Sequence, residues 1–222
     1  MSEKTRRTPA QRQAPTAKAT RAMRLFLAVP LPESVVAFVD TIIADLQRDD
    51  WPIRWTNSGN AHMTLQFLGD VSPEQAELLR IALRDPIALH TSFDLRTANL
   101  SAFPSIKRPR VLWLGLYGPA HRLQSLHADI RAIVNQLEFE TETSEFHPHI
   151  TLGRLKHDRT SIKTFPDRVR ARFDALQRNE QVTDKKPLAL PVREVQLVRS
   201  HLGTSGVRYE ILERFPLSEP ES

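Results

Sequence analysis

Two rhythms of apolar and polar positions take turns along this chain, and their order predicts its elements. Met23-Arg24-Leu25-Phe26-Leu27-Ala28-Val29 is a short apolar run closed by Pro30 and Pro32, which predicts a buried strand. Val35, Val36, Val39, Ile42, Ile43 and Leu46 then recur at helical spacing, predicting a helix to about Arg48. A Trp51-Pro52-Ile53-Arg54-Trp55 segment leads into a strand from His62 that stops at Gly69-Asp70. Ser72-Pro73-Glu74-Gln75 carries a capping Ser, a first-turn Pro and a Gln three residues on, which opens a second helix. Phe93-Asp94-Leu95-Arg96 is the next predicted strand.

The second half repeats the order. Arg110 to Tyr117 reads as a strand, and Pro119 opens a helix with Leu123, Leu126, Ile130, Ile133, Val134 and Leu137 on one face. A strand follows at Phe146-His147-Pro148-His149-Ile150-Thr151-Leu152-Gly153-Arg154. Phe165, Val169, Phe173 and Leu176 mark another helix. Arg178 to Lys186 reads as a loop, and strands around Val192 to Ser200 and Val207 to Arg214 close the chain. Leu25 and His62 lie 37 positions apart, Val111 and His149 38. Near-equal offsets argue for a duplicated α+β unit whose two lobes face each other across a groove.

His62-Met63-Thr64-Leu65 and His149-Ile150-Thr151-Leu152 occupy matching places in the two halves. Residues i and i+2 of a strand share a face, so each His stands beside its Thr. The same alternation turns Met63, Leu65 and Phe67 to the opposite side. A single His-x-Thr is ordinarily just a strand with a surface histidine, and the repetition is what makes the signal. Two imidazoles across a groove make a general base and a general acid. Hydroxyls beside them are donors for anionic oxygens. No Ser or Cys nucleophile is set by a turn, and no strand-borne carboxylate accompanies either His. The set suits displacement at phosphorus. A metal reading rests on the i, i+2 spacing of His147 and His149, but no further ligand set is evident.

Charge narrows the partners. The pI is about 9.9 and the net charge +5. Residues 1 to 22 hold Lys4, Arg6, Arg7, Arg12, Lys18 and Arg21 against Glu3, which accounts for all of that charge. They are expected to form a disordered basic tail, followed by a single two-lobed domain over 23 to 222. The domain is formally neutral, so phosphate binding there must come from local clustering. There is no cysteine, which excludes disulfides and thiolate chemistry and fits a reducing, cytoplasmic compartment. No apolar run approaches the ~18 residues of a membrane span. A monomer is expected.

With Arg24 to Val29 at the start, Phe67-Leu68-Gly69 after the first motif and Lys107-Arg108-Pro109-Arg110-Val111-Leu112-Trp113 opening the second half, the chain resembles the two-histidine phosphoesterases. Within them it is most similar to the RNA 2′,3′-cyclic phosphodiesterases, also called 2′-5′ RNA ligases. The resemblance covers residue 23 to the C-terminus. It implies an α+β fold of two antiparallel sheets facing a central groove, with helices outside. It also implies cofactor-free, metal-independent opening of a 2′,3′-cyclic phosphate on RNA or a nucleotide to a 2′-phosphate. By the same resemblance His62 is the acid for the leaving 3′-oxygen and His149 the base for water. Thr64 and Thr151 bind the phosphate, and Arg154 contacts substrate. Strict alternation puts Arg154 on the face opposite His149, so that role requires the chain to turn after Gly153. His147 stays outside the catalytic set. Lys107, Arg108 and Arg110 form a basic loop expected to meet RNA. Trp51, Trp55, Phe67 and Trp113 are candidates for base stacking that also suit a core. His90, His121, His127, His157 and His201 are read as structural. Ligation by the reverse reaction uses the same residues, and a binding module without turnover would not need two proton-transfer groups.

Overall fold

In a computed structural model the first apolar run is β1 (Met23–Pro30), and its strand partners decide the rest of the architecture. The structure describes residues 22–49, 51–139, 145–156, 165–178, 187–203 and 206–219. The expected basic tail, apart from Ala22, and most of the expected 178–186 loop lie outside them.

Each helix forms where the sequence supplies an apolar stripe. α1 (Glu33–Gln47) buries Val35, Val39, Ile42, Ile43 and Leu46, the predicted face apart from the half-exposed Val36. α2 (Pro73–Ala88) begins in the predicted capping box: Gln75 N–H donates to Ser72 Oγ and Ser72 N–H donates to Gln75 Oε1. Removing the Ser72 hydroxyl should cost about 1 kcal/mol. α3 (Ala120–Gln136) buries Leu123, Leu126, Ile130 and Val134. α4 (Phe165–Arg178) buries Val169, Phe173 and Leu176. The buried side chains of all four join one cluster with Leu25, Leu27, Val29, Met63, Leu65, Ile150 and Leu152. The helices therefore cover one face of the sheet. Phe26, Ala28 and Val198, with Tyr209 packed on them, form a separate small cluster on the other.

The remaining strands are β2 (Ile53–Trp55), β3 (His62–Val71), β4 (Phe93–Ser105), β5 (Arg108–Tyr117), β6 (His149–Leu155), β7 (Ala189–Val192), β8 (Glu194–Gly203) and β9 (Gly206–Pro216). The short β2 and β7 were not foreseen. β4 runs far beyond the predicted Phe93–Arg96 and makes a hairpin with β5. Arg108 and Arg110 thus lie in β5 rather than in a loop, and only Lys107 remains in the turn.

The expectation of two facing sheets is corrected. The strands form one antiparallel sheet in the order β7-β4-β5-β6-β3-β1-β8-β9, with β2 also on β6. The two wings meet at β3 and β6, through the pair Met63↔Ile150. Two separate sheets would have left these motif strands with open edges, and a bare edge leaves rows of backbone donors and acceptors unpaired. Each half also sends a late strand across the seam: β4 pairs with β5, and β8 with β1. The open face of this curled sheet carries both motifs.

Candidate active site

β3 and β6 place the two motifs side by side. Extending the Met63↔Ile150 register by one residue each way sets His62 opposite Thr151 and Thr64 opposite His149. Each imidazole therefore stands beside its own Thr and across from the other motif's Thr. All four side chains are half-buried, while Met63, Leu65, Ile150 and Leu152 between them are buried beneath.

The partner strands show which later residues join that face. β1 alternates without interruption and pairs Pro30↔His62, Ala28↔Thr64 and Phe26↔Phe67, while β3 inserts an extra residue at Leu65. β5 likewise pairs Gly115↔His149, Trp113↔Thr151 and Val111↔Arg154, while β6 inserts one at Leu152. Such a bulge shifts the alternation by one. Phe67 and Arg154, each five residues after its His, are thereby returned to the face of the two histidines. For Phe67 this corrects the expectation that it points with Met63 and Leu65. For Arg154 it supplies the turn that its role required. Phe67 is 45% exposed and its ring is 6.2 Å from that of Phe26.

Gly153, next to the second bulge, makes room for β2. A Cβ there would lie 2.5 Å from Ile53 Cγ2 and 3.0 Å from Trp55 Cε3. Without a side chain at this position, β2 approaches closely enough to pair Trp55↔Gly153 and Arg54↔Arg154.

Both imidazoles are oriented by the same device. His62 Nδ1 is 2.8 Å from the Asn60 carbonyl, and His149 Nδ1 is 2.7 Å from the His147 carbonyl. A carbonyl only accepts, so Nδ1 carries the proton in each ring and Nε2 is left for chemistry. His147 itself is exposed, with Nε2 3.8 Å from a Glu145 carboxylate oxygen. Its backbone carbonyl is what orients His149.

The rings around the two imidazoles differ. His62 stacks on Phe26, with ring centres 4.7 Å apart, and meets Tyr209 edge-on at 5.3 Å. His149 meets Phe103 edge-on at 5.0 Å and Trp113 at 5.9 Å. Tyr209 and Phe103 were missed in the sequence, because each comes from a strand whose neighbours no local pattern reveals. Of the four stacking candidates Trp51 is core, at 5% exposure, and Trp55 and Trp113 are half-buried.

Burial is the main reason both histidines titrate below their ordinary 6.5. The bond to Asn60 opposes this at His62, and the charges of His149 and Arg154 add to it. At His149 the bond to His147 opposes it, and Arg154 and His147 add to it. Arg154 thus acts on both imidazoles, and it also lowers Tyr209 against the upward push of burial.

A cleft of about 770 Å³ is lined in part by Ser101, Trp113, Gly115, His147, Pro148 and Arg170, and by neither motif histidine. A smaller hollow of about 340 Å³, lined in part by Ser92, Asp94, Arg122 and Arg193, shares no residue with the motifs. Among the described residues no three His, Asp or Glu side chains converge as a metal site. No helix among them is long and apolar enough to cross a membrane.

Comparison with known proteins gives this arrangement its relatives. A family model described as the 2′-5′ RNA ligase superfamily matches residues 31–204. The Aquifex aeolicus protein named RNA 2′,3′-cyclic phosphodiesterase is 31% identical over 166 residues, 74% of this chain and 81% of that one. Its namesake from Methanothermobacter thermautotrophicus is 29% identical over 195 residues, 88% and 99% of the two chains. Among solved structures, TT0787 of Thermus thermophilus is 28% identical with a TM-score of 0.69, covering 90% of this chain and 100% of that one. E. coli LigT complexed with 3′-AMP is 25% identical with a TM-score of 0.65, covering 88% and 98%.

Proposed function

The chain belongs to the 2′-5′ RNA ligase superfamily, and from that premise we propose that it is an RNA 2′,3′-cyclic phosphodiesterase working by general acid and base catalysis between His62 and His149. The observation that carries this reading is the mirrored pair: two imidazoles on adjoining strands, each with Nδ1 held by a carbonyl and Nε2 left for the groove. Relatives named for the same activity support the substrate class. The complex of LigT with 3′-AMP is a nucleotide bound to that protein.

His149 Nε2 takes a proton from water as the water oxygen attacks phosphorus in line with the 3′-oxygen. The bond from phosphorus to the 3′-oxygen breaks, and His62 delivers its proton to that oxygen. The 2′-phosphate monoester remains. Thr64, Thr151 and Arg154 hold the non-bridging oxygens, where charge grows in the transition state. The phosphate anion offsets the Arg154 charge that depresses both histidines. Substrate binding therefore raises the fraction of His62 that is protonated and ready to act as acid.

We also read the two halves as copies of one unit, and residues 23 to 222 as a single two-lobed catalytic unit. Removing residues 1 to 22 is then expected to leave turnover of a mononucleotide intact. The same pair of proton-transfer groups admits one companion reaction: a nucleoside 5′-hydroxyl in place of water at His149 would join two RNA ends through a 2′-5′ bond.

The test is incubation with a 2′,3′-cyclic-phosphate nucleotide in excess chelator, followed by identification of the product isomer. The reading requires a 2′-phosphate at an undiminished rate. A 3′-phosphate product, or loss of activity on chelation, overturns it.

A further inference from the structure

Arg54 and Arg154 face each other directly across β2 and β6, and both are exposed. Directly opposed residues of an antiparallel pair share a face, so Arg54 stands with Arg154 on the face of the two histidines. Like charges in this position repel. Elsewhere Arg80, Arg172, Arg193 and Arg214 each hold a carboxylate. Among the described residues neither Arg54 nor Arg154 makes an ion pair. The arrangement also constrains the sequence, since only a glycine at 153 lets β2 come this close. Two arginines set opposite each other on the face of the two histidines suit two negative charges.

Resting on the reading of the site as a cyclic phosphodiesterase, we propose that Arg54 binds the phosphate on the 5′-side of the terminal nucleotide. The protein thereby selects an RNA end over a free cyclic mononucleotide. The orientation follows from the chemistry. His62 protonates the 3′-oxygen, so the terminal ribose lies on the His62 side of the seam. β2 flanks β6 along the same edge as β3, and so lies on that side too. With the reacting phosphate held at Arg154, the next phosphate along the chain comes to Arg54. The planar fork of an arginine suits it.

The experiment compares adenosine 2′,3′-cyclic phosphate carrying a 5′-hydroxyl with the same nucleotide carrying a 5′-phosphate. Wild-type protein should show a kcat/KM about tenfold higher for the 5′-phosphorylated substrate, mainly through KM. In Arg54→Gln that ratio should fall to near one, and Arg54→Lys should keep part of it. The melting temperature of Arg54→Gln should hold or rise, because a like-charge contact is removed. A wild-type ratio near one, or a ratio unchanged in Arg54→Gln, overturns the proposal. So does a lowered melting temperature with equal loss on both substrates, which marks Arg54 as structural. Failure of wild-type protein to hydrolyse either substrate would instead count against the phosphodiesterase reading.

Discussion

The His62 and His149 wings solve the same problem with different residues. Each presents a His and a Thr on a strand, fixes Nδ1 on the carbonyl two residues back, and inserts a bulge after the motif. In each the bulge returns the fifth residue to the face of the two histidines. There the wings part. The first returns Phe67 beside Phe26, and the second returns Arg154 beside Arg54 and Val111. The position before it differs as well: Gln66, buried under β1, matches Gly153, which admits β2. In the proposed reaction the mirrored geometry supplies two proton-transfer groups, and the divergence gives the groove a direction. Both sides offer rings, and the second adds the charge of Arg54 and Arg154.

Breaking either imidazole should have the largest effect. His62→Ala and His149→Ala are each expected to lower kcat by about 10²–10⁴-fold. The double variant should be little worse than either single one, because the two act as a unit. Circular dichroism and thermal melts should show both variants folded, as the rings are half-buried on an open face.

Gly153→Ala attacks the second wing alone. Its Cβ has no room between Ile53 and Trp55, so β2 must move. A stability loss of about 1–3 kcal/mol is expected from such overpacking. The substitution should cost activity too, because it shifts Arg54 and Arg154. Gln66→Ala, at the matching place in the first wing, should lower stability without separating the arginines.

Arg154→Gln should sharpen the electrostatic half of the comparison. Arg154 lowers the pKa of both histidines, so its removal raises both. In the wild type the kcat/KM profile should be a bell with its maximum on the acid side of 6.5, the ordinary histidine value. In Arg154→Gln both limbs should move to higher pH while the height falls. Phe67→Arg, which gives the first wing the second wing's residue, should depress both histidines further and move the bell the other way.

Smaller effects separate the hydroxyls from the neighbouring ring. Thr64→Val and Thr151→Val each remove one donor and keep the β-branched shape, so each should cost less than loss of a histidine. His147→Ala should cost least, since its backbone carbonyl holds His149 and its side chain is exposed. Steady-state kinetics on one cyclic nucleotide ranks all three.

The sequence revealed the repeated parts and hid the divergent ones. Period-3.6 stripes located α1, α3 and α4, the capping box located α2 and its start, and the doubled His-x-Thr located the strands that meet at the seam. The bulges were invisible because an inserted residue breaks no apolar pattern: Leu65 and Leu152 look like ordinary inward positions. Hence alternation along the sequence puts Phe67 on the wrong face, and Arg154 needs a turn that the sequence does not show. In the sequence Gly153 marks only the place where that turn should occur. Its contact is with Ile53 and Trp55, about a hundred residues away in the chain. Tyr209 and Phe103 depend on which strands cross the seam, and local periodicity carries no information about that. Lys107, Arg108 and Arg110 looked like a loop because basic residues and a proline interrupt the apolar pattern where the hairpin turns.

In the proposed reaction His62 and His149 have opposite duties. A 2′,3′-cyclic substrate that carries sulfur in place of the bridging 3′-oxygen separates them. A thiolate leaves without needing a proton, so the acid becomes dispensable while the base does not. His62→Ala should recover to within about tenfold of wild-type turnover on the sulfur substrate, and His149→Ala should stay as impaired as on the oxygen substrate. Rescue of His149→Ala instead, or equal behaviour of the two variants, would contradict the assignment.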